Sequence, residues 1–385
     1  MTTISNPDIL EDYLNEKHKI AFVELLKDRT TGKNIFWGTQ SYADDYGEGF
    51  AENDEITIEK ITGENGRIIQ PRAVKAKAIQ TKRSKDMAEV FTPPWICNAQ
   101  NNLIDNAWFE AHGYGPPRSG GWFNDDQREW VVNPSPIFEQ GNDNWKNYVK
   151  DMRLEITCGE APYIVSRHDA VNPDQDGTMP IDRRIGLLDR KLRVVNENID
   201  AKDKRTWIEW AKKAVQAVYG YEWQGDNLVI ARESIFCSFL DYFEQKFGED
   251  KPDWKTLKSI ARIISWNFWQ MDGLKMTVPN SCGEKLTCIN RKVIENIEYK
   301  NQNELSLFLQ DVPKPIFELR PCEGCSSGDI NKHNGNYCLI RDWQVTKRED
   351  KKNPRKGDLK KAREEEISTG AIIPFYTILG DFEVK

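Results

Sequence analysis

No stretch of this 385-residue chain stays apolar long enough to cross a bilayer. About 18 uninterrupted apolar residues would be needed, so no spanning helix and no membrane partner are expected. The segment from Met1 to Asp12 has neither a basic start nor an apolar run. A secretory signal or mitochondrial address is therefore not expected, and the cytoplasm is the expected compartment. Histidine is scarce, at four residues, and His18, His112 and His168 stand isolated, where core or surface packing is their expected role. There is no internal repeat and no low-complexity tract, so a repeat architecture is not expected either. Overall positive charge is also missing, since the net charge is -7. Neutralising phosphates needs clustered Lys and Arg, so any contact with nucleic acid must be local.

Two local clusters exist. From Arg67 to Lys85 there are seven basic residues and no acid, and from Lys347 to Arg363 nine basic residues against three acids. Each reads either as a solvated segment or as a nucleic-acid contact. Eight cysteines remain: Cys97, Cys158, Cys237, Cys282, Cys288, Cys322, Cys325 and Cys338. A reducing compartment disfavours a disulfide framework, so clustered cysteines point to metal and isolated ones to packing.

Along the chain, Ile20 to Leu26, a turn at Thr31-Gly32-Lys33 and Asn34 to Trp37 read as a β-hairpin. Residues 43–60 read as an acidic loop leading into a strand, and 67–87 as a helix or linker. Trp95, Ile96, Ala99, Leu103, Ala107 and Trp108 share one helical face. Residues 111–145, rich in Gly, Pro, Asn and Trp, read as an irregular insertion in which Trp122, Trp130 and Trp145 either form a local core or stack on bases. Helices are expected over 204–219 and 227–247, and an amphipathic helix or helix–strand unit over 255–266. Short strands are expected at Ala217–Tyr221, near Asn267–Leu274 and at Ile372–Leu379.

The most informative string is Arg153-Leu154-Glu155-Ile156-Thr157-Cys158-Gly159-Glu160-Ala161-Pro162-Tyr163. A short strand meets a small-residue turn, and glycine there lets backbone approach a ligand. Upstream, Phe91-Thr92-Pro93 enters the first amphipathic helix, with Thr92 as N-cap and Pro93 in the first turn. Downstream, the strand through Tyr221 ends in Glu222, an acid placed to accept hydrogen bonds from ribose hydroxyls. A further strand end carries Asp272.

Taken in this order, these four strings resemble the γ-type N6-adenine DNA methyltransferases of restriction–modification systems, over residues 88–275, about half of the chain. The resemblance implies an α/β fold with a Rossmann-like class I methyltransferase core. It implies that Phe91, Thr92 and Pro93 close over the methionine end of S-adenosylmethionine, and that Glu155, Cys158, Gly159 and Tyr163 shape the cofactor loop. Glu222 would hold the ribose and Asp272 the adenine. Two departures matter. Glu155 and Glu222 are far apart for consecutive strands, which implies an insertion across roughly 168–205. The family's catalytic Asn/Asp-Pro-Pro-Tyr/Phe is absent; Thr92-Pro93-Pro94-Trp95 and Ile373-Pro374-Phe375-Tyr376 are its nearest strings, and both lack the amide. The catalytic residues are therefore unassigned. Expected partners are DNA and a second subunit supplying catalysis and target recognition; the alternative is an inactive, methyltransferase-like binding module in phage defence or its regulation. A zinc-containing nucleic-acid binder with no cofactor is a further alternative.

Cys322-x2-Cys325-x7-His333-x4-Cys338 has the ligand types and spacing of a structural zinc site, with free thiols in a Cys-rich loop as the alternative. Cys282 or Cys288 could replace His333 or Cys338. The expected organisation is an N-terminal strand-containing extension (1–87), the cofactor-binding core (88–279), a Cys-rich insertion (280–343), and a charged linker with a final core strand (344–385).

Overall fold

A repeat of buried positions at Glu11, Leu14, His18, Ala21, Phe22 and Leu25 makes Glu11–Leu25 a helix, α1. The steps of three and four residues match its period. In this computed structural model, which describes residues 11–113, 122–124, 130–132, 135–139, 141–171, 178–296, 314–343 and 371–375, α1 packs along α10 (Trp254–Asn267). This corrects the expected hairpin: its upstream arm is helical, because Ala21, Phe22 and Leu25 share a buried stripe while Ile20 and Val23 point outward. The turn itself survives, with Asp28 and Lys33 bonded through Asp28 N–H at 2.9 Å and Lys27 bridged to Asn34. The acidic stretch also differs from a plain loop, since it holds two short helices, α2 (Ser41–Tyr46) and α3 (Ile58–Ile61), around a bridge from Phe36 to Glu55. The basic stretch is helical over Lys77–Asp86, α4.

The first amphipathic helix, α5, runs Pro94–Ala111. Pro93 rather than Thr92 is its N-cap, because Pro94, at the first helical position, needs no intrahelical N–H partner. A hairpin of β1 (Trp122–Asn124) and β2 (Trp130–Val132) and a short helix, α6 (Trp145–Lys150), follow.

The centre is a mixed α/β arrangement around a three-stranded parallel sheet. It contains β3 (Arg153–Glu155), β4 (Val218–Glu222) and β5 (Phe268–Gln270), in that spatial order. Two helices precede β4, namely α7 (Leu187–Asn198) and α8 (Lys204–Gln216), and two more, α9 (Gly225–Phe247) and α10, carry the chain to β5. The long gap between Glu155 and Glu222 is thus filled by buried helix: Leu188, Leu192, Val194 and Val195 of α7 are all fully enclosed. One apolar cluster joins residues from Leu14 to Phe268 on the helical side of the sheet. A second cluster covers the other face of β4 and β5, where Tyr219, Tyr221, Trp269 and Met271 meet Ile340 and Phe375.

That second cover is the antiparallel pair β8 (Leu339–Asp342) and β9 (Ala371–Pro374). The expected final strand therefore exists in its first half, and its remainder lies outside the described residues. Between β5 and β8 stand the pair β6 (Lys285–Cys288) and β7 (Phe317–Arg320) and a one-turn helix, α11 (Glu323–Ser327). No helix among the described residues is long and apolar enough to cross a membrane.

Candidate functional site: a cleft at the sheet's carboxyl edge and a sulfur-rich cluster

All three parallel strands end on one side of the molecule, and a cleft of about 1140 Å³ opens there. Each strand of a parallel sheet hands over to its connection at the carboxyl end, so the loops gather there and a crevice opens where neighbouring connections diverge. The turn after β3 is the floor. Cys158 N–H donates to Tyr221 O at 2.8 Å, which pins the turn to β4. Gly159 sits at φ 53°, and a side chain there would place its first carbon 3.2 Å from the Phe91 ring. Glycine is needed for both reasons.

Gly159 N–H donates to Glu222 Oε2 at 2.8 Å, and Gln224 N–H to Oε1 of the same carboxylate at 3.1 Å. The turn after β3 and the acid ending β4 are therefore in direct contact. Glu155 accepts from Tyr163 N–H at 3.4 Å, while its other oxygen is buried without a hydrogen-bond partner. Burial pushes Glu155 well above the usual carboxylate range, against the pull of nearby backbone N–H groups and helped by the Glu222 charge. Burial also raises Glu222, and the N–H groups of Gln224 and Gly159 oppose the shift. Burial pushes the Cys158 thiol up, so it is no nucleophile at neutral pH.

Asp272 lines the opposite wall. Its Oδ1 accepts from Leu274 N–H at 3.0 Å and Lys275 N–H at 3.2 Å, and Lys275 Nζ lies 3.3 Å from Oδ2. Phe91, Thr92, Glu155, Cys158, Gly159, Tyr163, Glu222 and Asp272 thus all border one cleft. Pro93 stands behind it as the cap of α5. The positive-φ residues Ala88 and Thr157 also line the cleft, a concentration of backbone strain common at ligand sites.

The third wall is the end of the basic stretch together with the residues that lead into Phe91-Thr92-Pro93. Lys82, Asp86 and Met87–Phe91 hang over the opening, and α4 has only one buried residue, Arg83. Its guanidinium reaches Glu89 Oε2 at 2.7 Å, Gln224 Oε1 at 2.6 Å and Asp226 Oδ2 at 2.8 Å. Lys75 Nζ at 3.1 Å and Tyr42 Oη at 2.7 Å complete the ring around Asp226. Burial works against the Asp226 charge, but Arg83 and Lys75 outweigh it and hold the carboxyl well below its usual range. Of the seven basic residues read from Arg67 to Lys85, Lys75 and Arg83 are therefore spent inside the fold and Arg72 is half-buried, leaving Arg67, Lys77, Lys82 and Lys85 exposed. The second basic segment lies outside the described residues.

Away from the cleft, Cys282, Cys322, Cys325 and His333 bring their ligand atoms within 4.8 Å of one another. Cys282 Sγ is 3.3 Å from Cys322 Sγ, 3.6 Å from Cys325 Sγ and 3.4 Å from His333 Nδ1. Nδ1 is also 3.6 Å from both Cys322 and Cys325. Bonds of about 2.3 Å to sulfur and about 2.0–2.1 Å to nitrogen, set tetrahedrally, require edges of about 3.5–3.8 Å. The spacing suits a four-coordinate ion and is far too long for a disulfide.

Cys338 is not part of this group. It is buried in the second apolar cluster with its Sγ 3.4 Å from Gln270 O. A strand direction set by β8 turns it toward the sheet, and Cys282, forty residues before Cys322, takes the fourth place. Cys288 also stays outside, bonded to Asn290.

The isolated histidines are structural. His18 is buried against Phe236, and burial depresses it to about 4; His112 stacks on Trp108 at 4.0 Å; His168 faces Glu160 at 3.2 Å. Trp145 packs on Trp210 of α8 at 4.6 Å and so belongs to the main core rather than to a local one, and Trp130 donates its indole N–H to Arg183 O. No family model, curated protein or solved structure matches the chain.

Proposed function

We propose that this chain binds S-adenosylmethionine in the cleft and serves N6-adenine methylation of DNA, as the cofactor-binding part of a restriction–modification type methyltransferase with a Rossmann-like core. The observation that carries the reading is the meeting of four separate strings at one carboxyl-edge cleft: Phe91 over Gly159, Gly159 bonded to Glu222, and Asp272 facing them. S-Adenosylmethionine would supply an electrophilic methyl group.

The residues fit such a ligand. The Gly159 turn offers close backbone approach, and the Phe91 ring, with the Arg72 guanidinium 5.4 Å from its centroid, closes one side. Glu222 keeps acceptor capacity beyond its two backbone bonds, since each carboxylate oxygen has two lone pairs, and would take the ribose hydroxyls. The Glu155 carboxyl, at the end of β3 just before the same turn, borders the cleft as well. Asp272 would accept from the adenine amino group.

No Asn/Asp-Pro-Pro-aromatic string occurs in the sequence, so this chain alone is expected to bind the cofactor without transferring its methyl group. A second subunit would bring that motif together with target recognition, and DNA would contact the joint surface. The outer face of β3 supports this. Arg153 and Glu155 turn inward, while Met152, Leu154 and Ile156 are 48%, 44% and 64% exposed. Strands of parallel sheets normally bury their apolar side chains. Among the described residues nothing pairs with the far edge of β3, and a cofactor crevice in such folds is usually flanked by strands on both sides. Zinc is the proposed ion of the Cys/His cluster, because three sulfurs and one nitrogen in a closed tetrahedron suit it. None of the eight cysteines is paired in a disulfide, which fits the cytoplasm.

The test measures binding and transfer separately. Labelled S-adenosylmethionine should bind at equilibrium, and at a hundredfold its Kd it should stabilise the fold by about 2.7 kcal/mol. Glu222→Ala should weaken binding while the chain stays folded. Adenine methylation should need a second subunit; transfer by the chain alone would overturn the split, and absence of binding by metal-loaded protein would overturn the whole reading.

A further inference from the structure

The wall of the cleft that carries Asp272 is continuous with the metal cluster. Only nine residues separate Asp272 from Cys282, and that stretch is stitched to the chain around His333 almost residue by residue. Asp272 N–H donates to Thr277 O at 2.8 Å, and Thr277 in turn bridges Tyr337. Val278 N–H donates to Asn336 O at 2.8 Å, Cys338 N–H to Met276 O at 3.0 Å, and Asn336 N–H to Ser281 Oγ at 3.0 Å.

The two backbones also interlock sterically. A side chain at Gly335 would meet Cys282 Cβ and Ser281 Oγ, each at 2.8 Å. Met276 holds φ near +58°, a conformation disfavoured for a residue with a side chain other than Asn or Asp, and one that persists only when its surroundings enforce it.

The four ligands divide between the two sides of this seam. Cys282 belongs to the cleft-wall side, and Cys322, Cys325 and His333 to the other. At the cluster, Asn334 links the sides through Gly283, and the three sulfurs and the ring nitrogen stand close around one point. One ion bonded to all four would join the sides covalently. We propose that a zinc ion at Cys282, Cys322, Cys325 and His333 is the pin that fixes the Met271–Lys275 wall, so that the cleft's affinity for its nucleotide ligand depends on metal occupancy. The ligand part rests on the cleft being the S-adenosylmethionine site; the mechanical part does not.

The experiment uses the full chain. Metal analysis should give one zinc per chain, and cobalt exchanged into the site should show the absorption of tetrahedral thiolate coordination. Chelation followed by zinc reloading is then monitored in two ways. Hydrogen exchange should show protection over 271–283 lost on chelation and regained with zinc, with 157–163 unaffected. Equilibrium binding of S-adenosylmethionine should weaken about tenfold or more on chelation, the scale on which loss of support around a metal site is felt. Cys282→Ser should reproduce both changes in zinc-containing buffer, and Cys338→Ala should keep the metal.

Unchanged protection over 271–283 without metal overturns the proposal, as does absence of bound zinc. If the metal controls that protection but the chain binds no S-adenosylmethionine, the pin stands and the ligand assignment falls.

Discussion

Arg83→Met is the most informative single change away from the floor of the cleft. Arg83 is the only buried residue of α4, and it faces two carboxylates, Glu89 and Asp226. Taking one partner out of a buried ion pair costs about 3–5 kcal/mol, because the remaining charge is left without compensation. Here Asp226 keeps Lys75 and Tyr42, and Glu89 keeps Asn227 at 3.2 Å. The loss should therefore fall at the lower end, about 3 kcal/mol. Denaturant unfolding at pH 7 measures it, and a double-mutant cycle with Glu89→Gln isolates the pair.

The pH dependence has a definite sign. Asp226 is held below its ordinary value, so its contribution is fully present above the unfolded value of about 3.9 and is lost as pH falls through the folded one. The gap between Arg83→Met and the parent should narrow as pH drops below about 4. High salt should change little, because the group is enclosed. A loss under about 1 kcal/mol at pH 7, or strict additivity with Glu89→Gln, would refute the claim that charge rather than apolar contact holds this wall.

Gly159→Ala should destabilise by about 1–2 kcal/mol from its left-handed backbone alone, and should weaken nucleotide binding further as the new methyl group presses on Phe91. Wild-type stability and affinity in that variant would show that the turn has room. Lys191 gives the opposite pH signature to Asp226. Burial, reinforced by the Arg153 charge, lowers its amine to about 7, although it donates to Tyr148 O at 3.2 Å and Val149 O at 3.0 Å. The unfolded chain holds the extra proton between pH 7 and about 10.4, so stability should rise with pH over that window, and Lys191→Met should flatten the rise. Equal slopes for both proteins would contradict the burial of this amine. Replacing both Leu154 and Ile156 by lysine should change stability by no more than about 0.5 kcal/mol while reducing concentration-dependent light scattering. A loss of several kcal/mol would mean that this face is already covered.

Much of the site was legible because its elements are short and local. Phe-Thr-Pro before an amphipathic helix, a small-residue turn after an apolar strand, and acids ending two further strands are patterns fixed by neighbours along the chain. The helices at 94–111, 204–216, 225–247 and 254–267 were also plain, since each keeps an apolar stripe long enough to outweigh boundary effects. The first helix is not legible from Ile20 to Leu26 alone; Glu11, Leu14 and His18 supply the part that distinguishes a period of three to four from a period of two.

Residue types and local spacing settled that the chain would fold as mixed α/β, that soft ligands cluster near residues 322–333, and which strings could face a ligand. Tertiary structure alone decided that those strings share a cleft, that Lys75 and Arg83 are locked inside rather than offered to a polyanion, and that Cys282 takes the place of Cys338. The physical reason is the same in each case. Burial and coordination are set by groups tens to hundreds of residues apart, and a local pattern fixes what a side chain can do, not what it will stand beside.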